Sequence, residues 1–282
     1  MGSSGVIGLL LIVVNVIFSY KGLTNQAFFD KYDFSIEKVL VYKEYKRFIT
    51  AAFLHVSWLH LIFNMVALYL FSGAVEYSLG ALSFLIIYFG SLIGAQLLAL
   101  LVHRHHSDYS SVGASGAIAG VMFASIALYP DMGIGFFFIP VSIPAWIFGL
   151  LYVGFSIWGI SAKRNNIGHE AHLGGALTGL LLAAVIAPQS FLENYVIILV
   201  ITVPVLLFLY LVISRPHLLL IGNLSPKKNQ RNYYSPDHKY NAARKERQEE
   251  IDRLLDKIAK KGMNSLSDKE KELLRQHAQS IK

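Results

Sequence analysis

Seven apolar runs alternate with polar segments along the chain: Val6–Tyr20, Trp58–Val75, Phe84–Val102, Ala114–Tyr129, Phe136–Ile160, His172–Ile186 and Tyr195–Ile213. None of them contains Asp, Glu, Lys or Arg. A helix rises about 1.5 Å per residue, so about 20 apolar residues cross the ~30 Å hydrocarbon core of a bilayer. The pattern predicts an all-α, polytopic membrane helix bundle with seven transmembrane helices. Runs one, four and six are short for a full crossing. Runs one and six are expected to thin the bilayer or end below its surface. Run four is expected to leave Ser115, near its head, submerged.

After Ile213 the pattern changes. Residues 215–241 contain Arg215-Pro216, Ser225-Pro226 and Ser235-Pro236 and read as a linker. Beyond them Ile251, Leu254, Leu255 and Ile258 recur at i, i+3, i+4, i+7, one apolar helix face. Lys260-Lys261-Gly262 supplies a basic last turn and a stop. Ser267-Asp268-Lys269-Glu270 reads as a capping box opening a second helix through Leu273, Leu274, Ala278 and Ile281. The expected organisation is a transmembrane domain over 1–214, a linker over 215–241 and a small soluble helical hairpin over 242–282. Such a hairpin is too small to hold a large core alone. Between runs one and two, Tyr45 to Leu54 suggests either an interfacial helix or an ordinary connecting loop.

Composition agrees with lipid as the solvent. The 282 residues are 54% hydrophobic and 15% charged, against about a quarter charged in soluble domains. The segment from Arg215 onward holds 16 Lys and Arg against 9 Asp and Glu, so the whole net charge of +7 resides there. With no aromatic interleaving behind it, that charge suits solvent or lipid headgroups, and nucleic acid is not an expected partner. Absence of cysteine excludes disulfides and thiolate metal sites. The first run lacks a basic n-region and an A-x-A-like cleavage site, so it is expected to remain as a span.

Polar groups at the heads of membrane helices are costly and call for a reason. Runs two, four and six are each separated from the next by one return crossing, so their N-terminal ends lie at one face. There sit His60 and Asn64, four residues apart on one helix face, then Ser115, then His172. Gly116 and Gly120 form one small-xxx-small pair, and Gly175 and Gly179 another. Such pairs let helix backbones approach in lipid, which would bring Ser115 beside His172. Neutral imidazole can take the proton of a serine hydroxyl near pH 7. No carboxylate lies in the runs, so the expected machinery is a Ser–His dyad. Oxyanion donors are expected from the Ser115 amide, Asn64 and His60, with Gly113 letting the backbone approach the substrate. His169-Glu170-Ala171-His172 has its histidines at i, i+3, not the i, i+4 of zinc helices, so no metal is expected, nor any cofactor.

His55-Val56-Ser57-Trp58-Leu59-His60-Leu61-Ile62-Phe63-Asn64, then Gly113-Ala114-Ser115-Gly116, then Ala171-His172 with Gly175 and Gly179, resembles the rhomboid family of intramembrane serine proteases. The match runs from about Tyr45 to Ala187. It implies a six-helix core with one additional C-terminal helix, Ser115 as nucleophile, His172 as base, and an oxyanion site of Asn64, His60 and the Ser115 amide. It also implies a structural role for His55. Arg47 fits the arginine of a Trp-Arg loop pair, although position 46 is Lys. Glu76 matches an acidic residue capping the far end of the second helix. Where some members set an aromatic ring against the histidine, this chain has Ala119, so something else must orient His172. The implied partners are transmembrane protein substrates and membrane lipids; the sequence leaves the oligomeric state open. The implied location is a bacterial cell (inner) membrane, with the site toward the extracytoplasmic face. The Lys and Arg distribution points the other way, because all 25 lie on the side carrying Ser115 and His172. An inactive rhomboid-like binder of transmembrane segments is the alternative, and a polar-lined transporter a more distant one.

Overall fold

A computed structural model of the chain describes residues 5–104, 106–107, 109–136, 139–161, 168–214, 250–260 and 262–281. Its helices are α1 (Val6–Thr24), α2 (Gln26–Tyr32), α3 (Ile36–Leu40), α4 (Arg47–Thr50), α5 (Trp58–His103), α6 (Ser115–Leu128), α7 (Ala145–Ser161), α8 (His169–Ile186), α9 (Pro188–Glu193), α10 (Tyr195–Ser214), α11 over 250–260 and α12 (Asp268–Ile281). Two short antiparallel pairs accompany them: β1 (Phe34–Ser35) with β2 (Ser110–Ser111), and β3 (Gly133–Phe136) with β4 (Ile139–Pro144). The protein is a helical membrane bundle. By length and composition α1, α5 and α8 suffice to cross a membrane, and α6, α7 and α10 are shorter apolar helices. Leu9, Leu10 and Val13 of α1 and Leu199, Val203 and Leu206 of α10 are exposed, as suits contact with lipid tails.

Runs two and three are joined more tightly than expected. Both lie in the 46 residues of α5, interrupted only at Gly80, whose φ of 80° and ψ of 165° are non-helical. Glycine adopts positive φ without steric penalty. The chain reverses there. His60 at one end of α5 and Ala95 toward the other both approach the start of α6, at Gly113 and Gly116, whereas Ser78 beside the turn bonds Tyr129 at the far end of α6.

Run five is corrected. Its first residue, Phe136, ends β3, and Ile139–Pro144 form β4, paired with β3 in the register Gly133↔Pro144, Ile134↔Ile143 and Gly135↔Ser142, with an irregularity between Gly135 and Phe136. Proline is poorly tolerated inside a helix, and Pro140 and Pro144 bracket a Val-Ser-Ile alternation instead. The helix starts directly after the second proline. Ala145 N donates to Met132 O at 2.9 Å and Trp146 N to Pro130 O at 3.0 Å, tying α7 to the hairpin base. Run six also begins earlier than expected, at His169, so His172 lies within the first turn of α8.

The centre of the fold is α6, buried from Gly116 to Ala127 between α5 and α8. Helices α6 and α8 run parallel and touch through backbone. A Cβ at Gly175 would overlap the Gly116 carbonyl, and one at Gly179 would overlap the Gly120 backbone. On the other side of α6, a Cβ at Gly116 would meet Ala95 Cβ at 2.5 Å. Near the C-terminus, Gly262 (φ 77°) ends α11, with its N–H on Ile258 O at 2.8 Å. Ser267 and Glu270 exchange reciprocal bonds, Ser267 N to Glu270 Oε2 at 2.7 Å and Glu270 N to Ser267 Oγ at 3.3 Å. The expected linker 215–241 and residues 242–249, 261 and 282 of the expected hairpin lie outside the described residues.

Replacing Gly179 by Ala must push two backbones apart. Thermal unfolding in detergent is expected to show a loss of about 1–3 kcal/mol, the usual range for overpacking. Gly154→Ala on α7, where nothing lies within 4 Å of the added methyl, is expected to leave stability unchanged or slightly raised. Equal effects of the two would refute backbone contact as the reason for the glycines.

Candidate active site

Ser115 is the first residue of α6, and the first backbone bond of that helix runs from Ile118 N to Ala114 O at 2.9 Å. The amides of Ser115, Gly116 and Ala117 therefore precede the intrahelical ladder and form the positive end of the helix. His172 Nε2 lies 2.8 Å from Ser115 Oγ. Both residues are half-buried. Gly113, two residues before the serine, has φ of 121°, and a Cβ there would stand 3.0 Å from His60 Cε1. Its conformation and this close approach both favour glycine.

His60 and Asn64 face the same space from α5. Ser57 caps that helix, its Oγ accepting from His60 N at 3.2 Å. Asn64 Nδ2 donates to His60 O at 3.0 Å, and an amide has a second N–H besides. His60 Nδ1 is buried without a partner among the described residues. A cavity of about 500 Å³ adjoins these groups. Its wall runs down α6 from Ser115 through Ala119 to Met122, and is completed by Phe71, Phe148 and Tyr152.

The supporting residues sit in distinct places. His55 is fully buried against the edge of the His60 ring, with centroids 4.9 Å apart at 75°. Ser19 Oγ donates to Phe53 O at 3.0 Å and stands 2.7 Å from His55 Nδ1, so Nδ1–H of His55 donates to that hydroxyl. Burial first, and His60 second, hold the His55 imidazole well below its ordinary pKa, so it stays neutral. Arg47, at 3% exposure, bonds Asp33 Oδ1 and the Asp33 carbonyl at 2.6 Å each and Glu44 Oε2 at 2.7 Å. It locks the segment between α1 and α5. Glu76 caps a different helix from the one expected. Its Oε1 and Oε2 accept from Ile7 N and Gly8 N, each at 2.9 Å, at the N-terminus of α1. A carboxylate there meets unpaired amides and the positive helix end.

Reading the sequence missed Tyr152 of α7, whose ring centroid lies 5.8 Å from that of His172, tilted by 34°. His169 meets the same imidazole edge-on at 5.8 Å. The only trace in the sequence is helical spacing: Phe148, Tyr152 and Phe155 recur at i, i+4, i+7 on one face of run five.

These features define a class, a polytopic helical membrane protein with a serine hydroxyl and an imidazole in contact inside its bundle. Residues 42–189 match the Rhomboid domain family model, and the chain belongs to the rhomboid family. Residues 234–280 match a second model, described as a family of unknown function, DUF6576. Among similar proteins, "RHOMBOID-like protein 12, mitochondrial" of Arabidopsis thaliana is 31% identical, over 51% of this chain and 47% of its own length. "Rhomboid protein 1, mitochondrial" of Saccharomyces cerevisiae is 35% identical over 47% and 39%. "Rhomboid protease GluP" of Bacillus subtilis is 33% identical over 50% and 26%. The chain thus spans about half the length, or less, of these relatives.

Removing Arg47 would leave the Asp33 carboxylate buried without that cation. Breaking such a pair typically costs about 3–5 kcal/mol, so Arg47→Ala is expected to lower the unfolding midpoint sharply. A midpoint unchanged from wild type would show that the segment is not held by this ion pair.

Proposed function

We propose that the chain is an intramembrane serine endopeptidase that hydrolyses peptide bonds in or near transmembrane segments of membrane proteins. The observation that carries this reading is the 2.8 Å contact between His172 Nε2 and Ser115 Oγ at the mouth of an apolar cavity. Neutral His172 takes the hydroxyl proton as Oγ attacks the scissile carbonyl. The oxyanion is stabilised by the Ser115 amide at the helix N-terminus and by His60 and Asn64. Collapse expels the amine, which receives its proton from His172, and leaves an ester on Ser115. Water, deprotonated by the same imidazole, then hydrolyses the ester. Among the described residues no carboxylate is bonded to His172, which supports a dyad oriented by ring contacts. A helix engages its own carbonyls, so a transmembrane substrate must unwind locally to be attacked. Substrates with small and helix-breaking residues near the cleavage point fit that requirement.

A fluorophosphonate probe is expected to label wild type and not Ser115→Ala. Cleavage of a transmembrane reporter in proteoliposomes is expected to fall on the order of 10³-fold or more in Ser115→Ala and His172→Ala. Asn64→Ala is expected to lose on the order of 10² to 10³ in rate. Full labelling of His172→Ala would sink the dyad.

The same reading puts the protein in a bacterial cell membrane with its site toward the extracytoplasmic face, although similar proteins are mitochondrial and chloroplastic as well as bacterial. With seven spans and an internal N-terminus, a reporter fused after Lys282 is expected outside the cytoplasm. A cytoplasmic reporter in an active enzyme would reverse the orientation.

A further inference from the structure

One buried acid takes no part in the chemistry above. Glu170, in the first turn of α8, is 6% exposed. Its Oε1 accepts from Tyr109 Oη at 2.9 Å and contacts His103 Nε2 at 2.8 Å. The His103 and Tyr109 rings stack with centroids 3.7 Å apart and planes 8° from parallel, so the two donors are held side by side. A carboxylate in such a place is strongly disfavoured unless its oxygens are bonded. Three elements meet on it: the C-terminal end of α5 (His103), the loop before α6 (Tyr109) and α8 itself.

The position of these elements matters more than their number. Tyr109 precedes Ser115 by six residues, and Glu170 precedes His172 by two. The intervening backbone has little freedom. Ile36 N donates to Tyr109 O at 3.2 Å, β2 pairs with β1, and Gly113 N donates to Ala51 O at 3.0 Å. Two residues along a helix rotate the side chain by about 200°, so Glu170 points away from His172 and acts through the helix, not by touching the imidazole. Gly168, which accepts from His172 N at 3.0 Å, leaves room for the clasp: a Cβ there would lie 3.3 Å from Tyr109 Oη.

We infer that Glu170 is a positioning residue whose bond to Tyr109 ties the segment carrying Ser115 to the helix carrying His172 and sets the spacing of the dyad. This rests on the serine-hydrolase reading for its kinetic consequence, but the tie itself is independent of it. Displacement of reacting groups by about 1 Å can cost on the order of 10²-fold in rate. A clasp a few residues from each member is therefore expected to govern kcat and leave substrate binding alone.

The test is a double-variant cycle with Tyr109→Phe and Glu170→Ala, read by kcat and KM on a transmembrane reporter and by ¹⁵N resonances of His172. Each variant is expected to lower kcat about tenfold to 10²-fold with KM within about twofold. The double variant is expected to fall no further than the weaker single. Glu170→Gln keeps an acceptor oxygen and is expected to retain most of the activity. In Tyr109→Phe, which removes one hydroxyl and so serves even if Glu170→Ala fails to fold, the His172 Nε2 signal is expected to move toward its position in Ser115→Ala. Additive losses, a change in KM alone, or an unmoved Nε2 signal would overturn the inference. If wild type cleaves nothing while the Nε2 signal still responds to Tyr109→Phe, the hydrolase reading fails and the positioning role stands.

Discussion

Backbone contact between α6 and α8 is the constraint from which the rest of the arrangement follows. In lipid there is no hydrophobic drive pressing two apolar helices together, so close packing depends on surfaces without side chains. Gly116 and Gly120 face Gly175 and Gly179 so closely that a methyl group on the second pair would overlap backbone of the first. That contact fixes a parallel register. Ser115, one residue before Gly116, comes level with His172, three residues before Gly175. A slip by one helical turn would move the two groups about 5.4 Å along the axis and abolish the 2.8 Å contact between them. The second half of α5 completes the packing, with Gly94 and Ala95 against Thr178 of α8 and Gly116 of α6.

Around this triple contact, the segments between spans behave as a deck at the level of the helix N-termini. Phe34, Ile36, Val39, Leu54 and Val112 form an apolar cluster of their own. Arg47 and Asp33 are buried together beside it. His55 joins the deck to α1 through Ser19 and to α5 through the His60 ring. The deck thus braces His60 on α5 through the His55 ring, and it includes the loop that leads to Ser115. The Arg47 guanidinium and His55 Nδ1 meet protein partners there, as low accessibility requires, whereas His55 Nε2 and His60 Nδ1 have no hydrogen-bond partner among the described residues.

Much of this was legible before any coordinates, and the parts that were not share a cause. Seven charge-free runs, the common direction of three of them and the two glycine pairs are local or periodic signals, and they carried the bundle architecture and the meeting of Ser115 with His172. The hairpin before α7 was not legible, because an apolar run by itself does not distinguish a buried strand from a helix. The reversal at Gly80 was not legible either, because one residue at positive φ suffices to turn the chain there. The resemblance sets Glu76 at the far end of its own helix, whereas its partners are amides 68 and 69 residues earlier. Tyr152 was invisible for the same reason: sequence spacing does not say that α7 sets a ring against an imidazole on α8. Long-range pairings are made by packing, and no window along the chain contains them.

The shortness of α6 draws these observations together. Its 14 residues span about 21 Å, well short of a ~30 Å hydrocarbon core, so at least one of its ends lies at depth. Irregular backbone is tolerated at such depth only where protein surrounds it and its polar groups are bonded. The loop before Ser115 meets that condition strand by strand. Tyr109 O accepts from Ile36, Ser110 and Ser111 pair with Ser35 and Phe34, and Gly113 N reaches Ala51 O. In place of further turns of helix stands a segment tied by backbone hydrogen bonds to the deck at Tyr109, Ser110, Ser111 and Gly113. In exchange, the amides at the start of α6, which a longer helix would have placed in bulk water, stand unladdered beside a hydroxyl and an imidazole in an apolar cavity. Hydrogen-bond donors in such surroundings act on developing charge far more strongly than they would in water. A full-length α6 would span the membrane better and leave no unladdered amides beside Ser115 and His172.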